Sequence, residues 1–162
     1  MLSAFSQASM IHVSDPDFDE HRFRENLNMH TSTSPQYAMI ASLDVARKQM
    51  SMEGFARLEA CFDIAAQLRV GINRSGVFRV LELADMLPEE LVDDGIRLDP
   101  CKLSVDVSAS GYSARQLQLA LFEDHGIQIE KVTHNTLSIL VTLGATDSKV
   151  LRLLNALDKL AR

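Results

Sequence analysis

Cysteine is scarce in this sequence, basic side chains are outnumbered, and no long apolar run is present. The two cysteines, Cys61 and Cys101, lie far apart and show no Cys-x-x-Cys spacing. That excludes a disulfide framework and a thiol redox motif, and predicts a reducing, cytoplasmic setting. With 16 Lys and Arg against 22 Asp and Glu, the formal charge is -6, so a surface built for nucleic acid or an anionic membrane is excluded. No segment approaches the roughly 18 apolar residues of a membrane span, and the N-terminus lacks the basic start and apolar segment of a signal peptide. The five histidines (His12, His21, His30, His125 and His134) show no His-x-x-x-His or His-Glu-x-x-His spacing, so no metal site is expected. Asp15, Asp17 and Asp19 imitate the start of a calcium loop. However, Pro16 interrupts it, and Glu20 and Asn26 stand where glycine and glutamate are required. Neither a Gly-x-Ser-x-Gly elbow nor a P-loop occurs.

What is present is a run of hydroxyls. His30-Thr-Ser-Thr-Ser-Pro35 sets four Ser and Thr side chains before a proline and a strongly helical stretch. Hydroxyls beside the free N–H groups of a helix start suit a phosphate, although such clusters are also ordinary caps and turns. Ser34 is the expected N-cap and Pro35 the first helical residue.

The periodicities supply the frame. Ala8 to Val13 reads as a buried strand and Asp19 to Asn28 as a short helix with Phe23 and Leu27 on one face. A helix is expected from Pro35 to about Met52, and a second over Phe55, Leu58, Phe62, Ala65 and Leu68, ending at Gly71. The Asn73 to Gly76 turn signal places a domain boundary there, dividing residues 1–75 from 76–162. Val77 to Leu83 reads as a strand, 84–100 as an acidic loop, and Leu103, Val105 and Val107 as a half-buried strand. Ser113 with Gln116 signals a capping box for a helix ending at Gly126. Ile127 and Ile129 alternate with polar residues, Leu137 to Leu143 is strand-like, and a last helix runs from Thr146 to Ala161. The fold class is α/β. Its second part is a small α+β domain, a three- or four-stranded sheet with helices on one side. The acidic residues Glu82, Asp85, Glu89, Glu90, Asp93, Asp94 and Asp99 could attract a cationic substrate or simply face water.

Three segments at their intervals, Ser6-Gln-Ala-Ser-Met-Ile-His-Val13, Met29-His-Thr-Ser-Thr-Ser-Pro35 and Ala41-Ser-Leu-Asp-Val45, resemble the bacterial ornithine/lysine/arginine decarboxylases. Leu98-Asp-Pro-Cys-Lys-Leu103 and His125-Gly-Ile-Gln-Ile-Glu-Lys131 resemble that family's small-domain motifs. The resemblance implies the fold of aspartate aminotransferase, fold type I, with pyridoxal 5'-phosphate as cofactor and a basic amino acid as substrate. Residues 1–75 would be the C-terminal end of the cofactor-binding large domain. The resemblance further implies a homodimer or higher oligomer in which the hydroxyl run reaches across the interface. Ser32 would contact the neighbour's cofactor phosphate, with Thr31 and Thr33 flanking it. The family's Ser-x-His-Lys motif, whose lysine forms the Schiff base, is expected just before Met1. None of Lys48, Lys102, Lys131, Lys149 and Lys159 stands in such a motif. The expectation is therefore a C-terminal fragment with no catalytic residue of its own, inactive alone. The alternative is a noncatalytic module that pairs with a full-length or complementary decarboxylase subunit.

Overall fold

The computed structural model describes residues 4–5, 11–31, 33–34, 36–91 and 94–161. They form two compact units, residues 2–54 and 55–162. The expected strand at Ala8 to Val13 lies outside the described residues as far as Met10; Ile11 to Val13 are exposed and in no strand.

In the first unit, α1 spans Glu20–His30. It starts where it does because the Asp19 carboxylate accepts the Arg22 N–H at 3.0 Å, satisfying one of the orphan donors of a helix start. Phe23 and Leu27 are its half-buried face, and Phe23 packs against Phe18 with ring centroids 5.2 Å apart. α2 then runs over Tyr37–Arg74 as one helix. The sequence divides this stretch between Met52 and Phe55, but the glycine that lies there, Gly54, costs a helix only about 1 kcal/mol, and no proline follows until Pro88. The helix carries through.

Its C-terminal half belongs to the second unit. There Cys61, Ile64, Ala65, Leu68 and Ile72 form one buried stripe at the three-and-four spacing of an amphipathic helix. The compact units therefore part inside α2, whereas the turn signal lies at its end. Ser75 and Gly76, at φ +70°, make that turn. The Ser75 hydroxyl donates to the Ile72 carbonyl at 2.9 Å and accepts the Phe78 N–H at 3.0 Å.

A four-stranded antiparallel sheet follows, in the order β1–β2–β4–β3. β1 is Arg79–Val80, β2 Lys102–Asp106, β3 Lys131–Val132 and β4 Thr136–Leu140. The strand expected over Val77 to Leu83 shrinks to two residues, because Leu83–Met86 coils into α3. The alternation at Ile127 and Ile129 does not become strand either. Leu103 and Val105 register against Ile139 and Leu137, and all four turn to the buried face. α4 (Ala114–Glu123) opens with the expected capping box: Gln116 N–H to Ser113 Oγ at 3.2 Å and Ser113 N–H to Gln116 Oε1 at 2.9 Å. α5 (Asp147–Leu160) buries Val150, Leu153, Ala156 and Leu157. Three helices thus contribute to the core over the sheet, since α2 supplies its second half.

A polar network closes the end of β2. Asp106 Oδ1 accepts the Ser108 hydroxyl at 2.6 Å and the Ser108 N–H at 3.0 Å, while Asn135 donates to the same hydroxyl at 2.9 Å. These Ser108 bonds, hydroxyl first, hold the Asp106 carboxyl below the ordinary carboxylate range, helped by the nearby Arg79 charge and the Val107 N–H against partial burial. A carboxyl depressed in the folded state stabilises above its unfolded value, and the contribution disappears as pH falls through its folded value. Ser108→Ala should therefore raise the Asp106 midpoint in a carboxyl NMR titration. Its destabilisation should be larger at pH 7 than below the folded midpoint; an unmoved midpoint would remove the hydroxyl from this role.

Candidate functional site

The hydroxyl run joins α1 to α2. Thr31 is the C-terminal cap of α1 in extended conformation, φ -102° and ψ 157°, its N–H donating to the Leu27 carbonyl at 3.1 Å. That bond spends the backbone donor on the helix end and leaves the threonine side chain exposed. Thr33 and Ser34 are exposed as well. Ser32 and Pro35 lie outside the described residues. Beyond them the Ile40 N–H donates to the Gln36 carbonyl at 3.1 Å as α2 begins, and the first turn of α2 contains no acidic residue. A helix start without carboxylates retains its positive end for an anion.

Ser42, inside the Ala41 to Val45 motif, is a structural position that residue chemistry alone did not single out. It is 8% exposed and is the buried polar residue of the described chain. Its hydroxyl donates to the Met39 carbonyl at 2.7 Å and accepts the Phe5 N–H at 3.0 Å, so it fastens the chain near residue 5 to α2. The sequence signal was there: Ser42 and the buried Ala46 are four residues apart on one helix face. Asp44 of the same motif faces water and accepts Arg47 through Nε and Nη2 at 3.0 and 2.9 Å.

The acidic segment is partly committed elsewhere. Glu82 accepts Arg69 at 2.7 Å, and both Asp85 oxygens accept Arg79 at 2.9 Å. The Glu82 N–H and then Arg79 hold the Asp85 carboxyl below its usual range. Asp99 accepts the Cys101 N–H at 2.9 Å, and Asp93 lies outside the described residues. Glu82, Asp85 and Asp99 thus make local bonds. Cys101 and Cys61 are both buried free thiols; burial, then the Asp99 charge, pushes the Cys101 thiol up and away from its nucleophilic form. Among the described residues no group of three or more His, Cys, Asp or Glu converges as for a metal ion. No described helix is long and apolar enough to cross a membrane.

The family model described as Orn/Lys/Arg decarboxylase, major domain, matches residues 1–149, and the chain belongs to that family. It is 31% identical to an arginine decarboxylase of Bacillus cereus over 98% of this chain and 34% of that protein. It is 30% identical to the inducible lysine decarboxylase of Escherichia coli over the whole of this chain and 27% of that one. Among solved structures, the lysine decarboxylase of Francisella novicida superposes with a TM-score of 0.75 at 26% identity, covering 98% of this chain and 26% of that chain. Lysine decarboxylase A from Pseudomonas aeruginosa gives 0.72 at 30% identity, covering 98% and 27%. The chain spans about a third or less of the length of these relatives.

Proposed function

We propose that this chain is the phosphate-contacting and small-domain part of a pyridoxal-phosphate-dependent basic amino acid decarboxylase of fold type I, working in the cytoplasm as a homodimer or larger assembly. The observation that carries the reading is the family match over residues 1–149, with Thr31 and Thr33 exposed at the junction of two helices. When bound, the cofactor supplies an electron sink for the electrons left on the substrate as carbon dioxide departs. Of the hydroxyls that the resemblance assigns to its phosphate, Thr31 and Thr33 are exposed before the carboxylate-free start of α2, and Ser32 between them in sequence is proposed as the central contact. The aldehyde end finds no such fit, since all five lysines are exposed and none stands in a Ser-x-His-Lys motif. A lysine in that role is activated by a desolvated pocket, so the chain alone does not catalyse. The substrate is lysine, arginine or ornithine.

Two experiments test this. Mixing the purified chain with pyridoxal phosphate, reducing with borohydride and digesting should give no site-specific lysyl adduct. No carbon dioxide should be released from lysine, arginine or ornithine; a unique adduct with turnover would overturn the reading. In a complete enzyme carrying this segment, Ser32→Ala should weaken cofactor retention by about 1–3 kcal/mol, the cost of unmade hydrogen bonds to a charged group. Unchanged affinity would remove Ser32 from the site.

A second reading, a noncatalytic module pairing with a complementary decarboxylase subunit, is favoured by α2. In the C-terminal unit Phe55, Phe62 and Val70 fall on one face of the helix, 84%, 46% and 62% exposed, opposite the stripe that packs on the sheet. In the N-terminal unit the same helix exposes Tyr37, Ile40, Val45 and Met52. Exposed aromatic stripes of this kind mark association surfaces. In sedimentation, the chain should migrate with a full-length basic amino acid decarboxylase, and Phe55→Ser with Phe62→Ser should abolish this. Independent migration of the unaltered chain would exclude the second reading.

A further inference from the structure

The proposed function makes no use of a concavity of about 560 Å³ in the C-terminal unit. It exists because a sheet edge is left unpaired. β3 registers only Lys131 and Val132, against Ser138 and Leu137, and residues 126–130 run alongside without forming strand. The Val141 N–H donates toward β2, to the Cys101 carbonyl at 2.8 Å, and the Thr136 carbonyl accepts on the β3 side, from Thr133 at 3.0 Å. Strand alternation therefore turns the Leu140 N–H and carbonyl into the gap, with no strand opposite.

The floor of the gap is aliphatic, formed by Ile64, Leu68, Ile139, Val150 and Leu153. Its rim carries two cations from the first half of α5. Lys149 Nζ donates to the Gly144 carbonyl at 2.7 Å, and the Arg152 guanidinium donates to the Gly126 carbonyl. A carbonyl orients a cation without cancelling its charge, and among the described residues neither Lys149 nor Arg152 forms an ion pair. Glu130 is the one acidic lining residue beside Lys149 and Arg152, so the lining carries a single net positive charge, which suits a monoanion better than a phosphate dianion.

We propose that this concavity binds an aliphatic monocarboxylate. The carboxylate is held by the Arg152 fork and the Lys149 ammonium, and the hydrocarbon body lies on the aliphatic floor. Size and composition match those of small-molecule sites, a largely apolar lining with a few convergent polar groups within roughly 300–1,000 Å³. A basic amino acid does not fit, because its distal cation would meet the apolar floor.

The test is an amide NMR titration of the full chain with octanoate, with octanol and octylamine as controls of equal chain length. Saturable shifts confined to residues 126–130, 139–145 and 149–153 are expected, with octanol at least about tenfold weaker and octylamine without effect, since one charged hydrogen bond lost is worth about a factor of ten or more. Lys149→Gln with Arg152→Gln should reduce octanoate affinity by a similar factor while the amide spectrum stays that of the folded chain. Equal binding of octanol, shifts centred on Phe55, Phe62 and Val70, or no saturable shift would each overturn the assignment. The octanol comparison decides the matter even if the double variant does not fold.

Discussion

The sheet of the C-terminal unit has one apolar face, and that face has to be kept dry. Leu103, Val105, Leu137 and Ile139 all turn the same way, and each such side chain contributes about 1.5–3 kcal/mol only when fully covered. Ordering the backbone costs about 1–2 kcal/mol per residue, so short strands alone would not hold. α4 and α5 cover part of the face, and the second half of α2 covers the rest through Ile64, Leu68 and Ile72. This requirement explains why α2 runs unbroken to Arg74 and why the compact units divide at Gly54 rather than at the turn after the helix.

Features that depend on neighbouring residues were legible in the sequence. The Ser113 and Gln116 capping box, the alternation of β2 and the stripe of α5 each rest on chemistry a few residues wide, and each formed as expected. Features that depend on what lies across the sheet were not. Ile127 and Ile129 alternate like a strand, yet the left-handed turn at Gly126 precedes them and β3 pairs with β4 only at Lys131 and Val132. Leu83 reads as the end of a strand, yet the Glu82 N–H meets the Asp85 carboxylate at 2.8 Å, and such a bond favours a helical turn. The stretch between Met52 and Phe55 reads as a break because a periodicity is local, whereas the burial that carries the helix through is not.

The candidate phosphate site was legible in a different way. Four hydroxyls before a helix state a capacity for anions and nothing about which one; only the resemblance carried by the flanking segments narrowed it. Ser42 illustrates the reverse case. It sits in one of those segments, and its role is structural: it accepts the Phe5 N–H and donates to the Met39 carbonyl. A segment shared with a family thus also holds positions that fasten the chain in place.

Gly126 shows how closely such roles interlock. It ends α4 at φ +60°, with its N–H on the Phe122 carbonyl at 3.0 Å and the Ile127 N–H on the Leu121 carbonyl at 2.8 Å. A left-handed residue there is easy for glycine and strained for others. A Cβ would also stand 3.1 Å from Arg152 Nη2, where the guanidinium meets the Gly126 carbonyl. The residue that stops the helix therefore also makes room for the cation at the rim of the concavity. The same turn directs residues 127–130 away from β4 and leaves the gap that they line. One backbone requirement thus sets the end of α4, the shortness of β3 and the position of Arg152, so the concavity follows from how this helix is terminated and does not depend on a motif of its own.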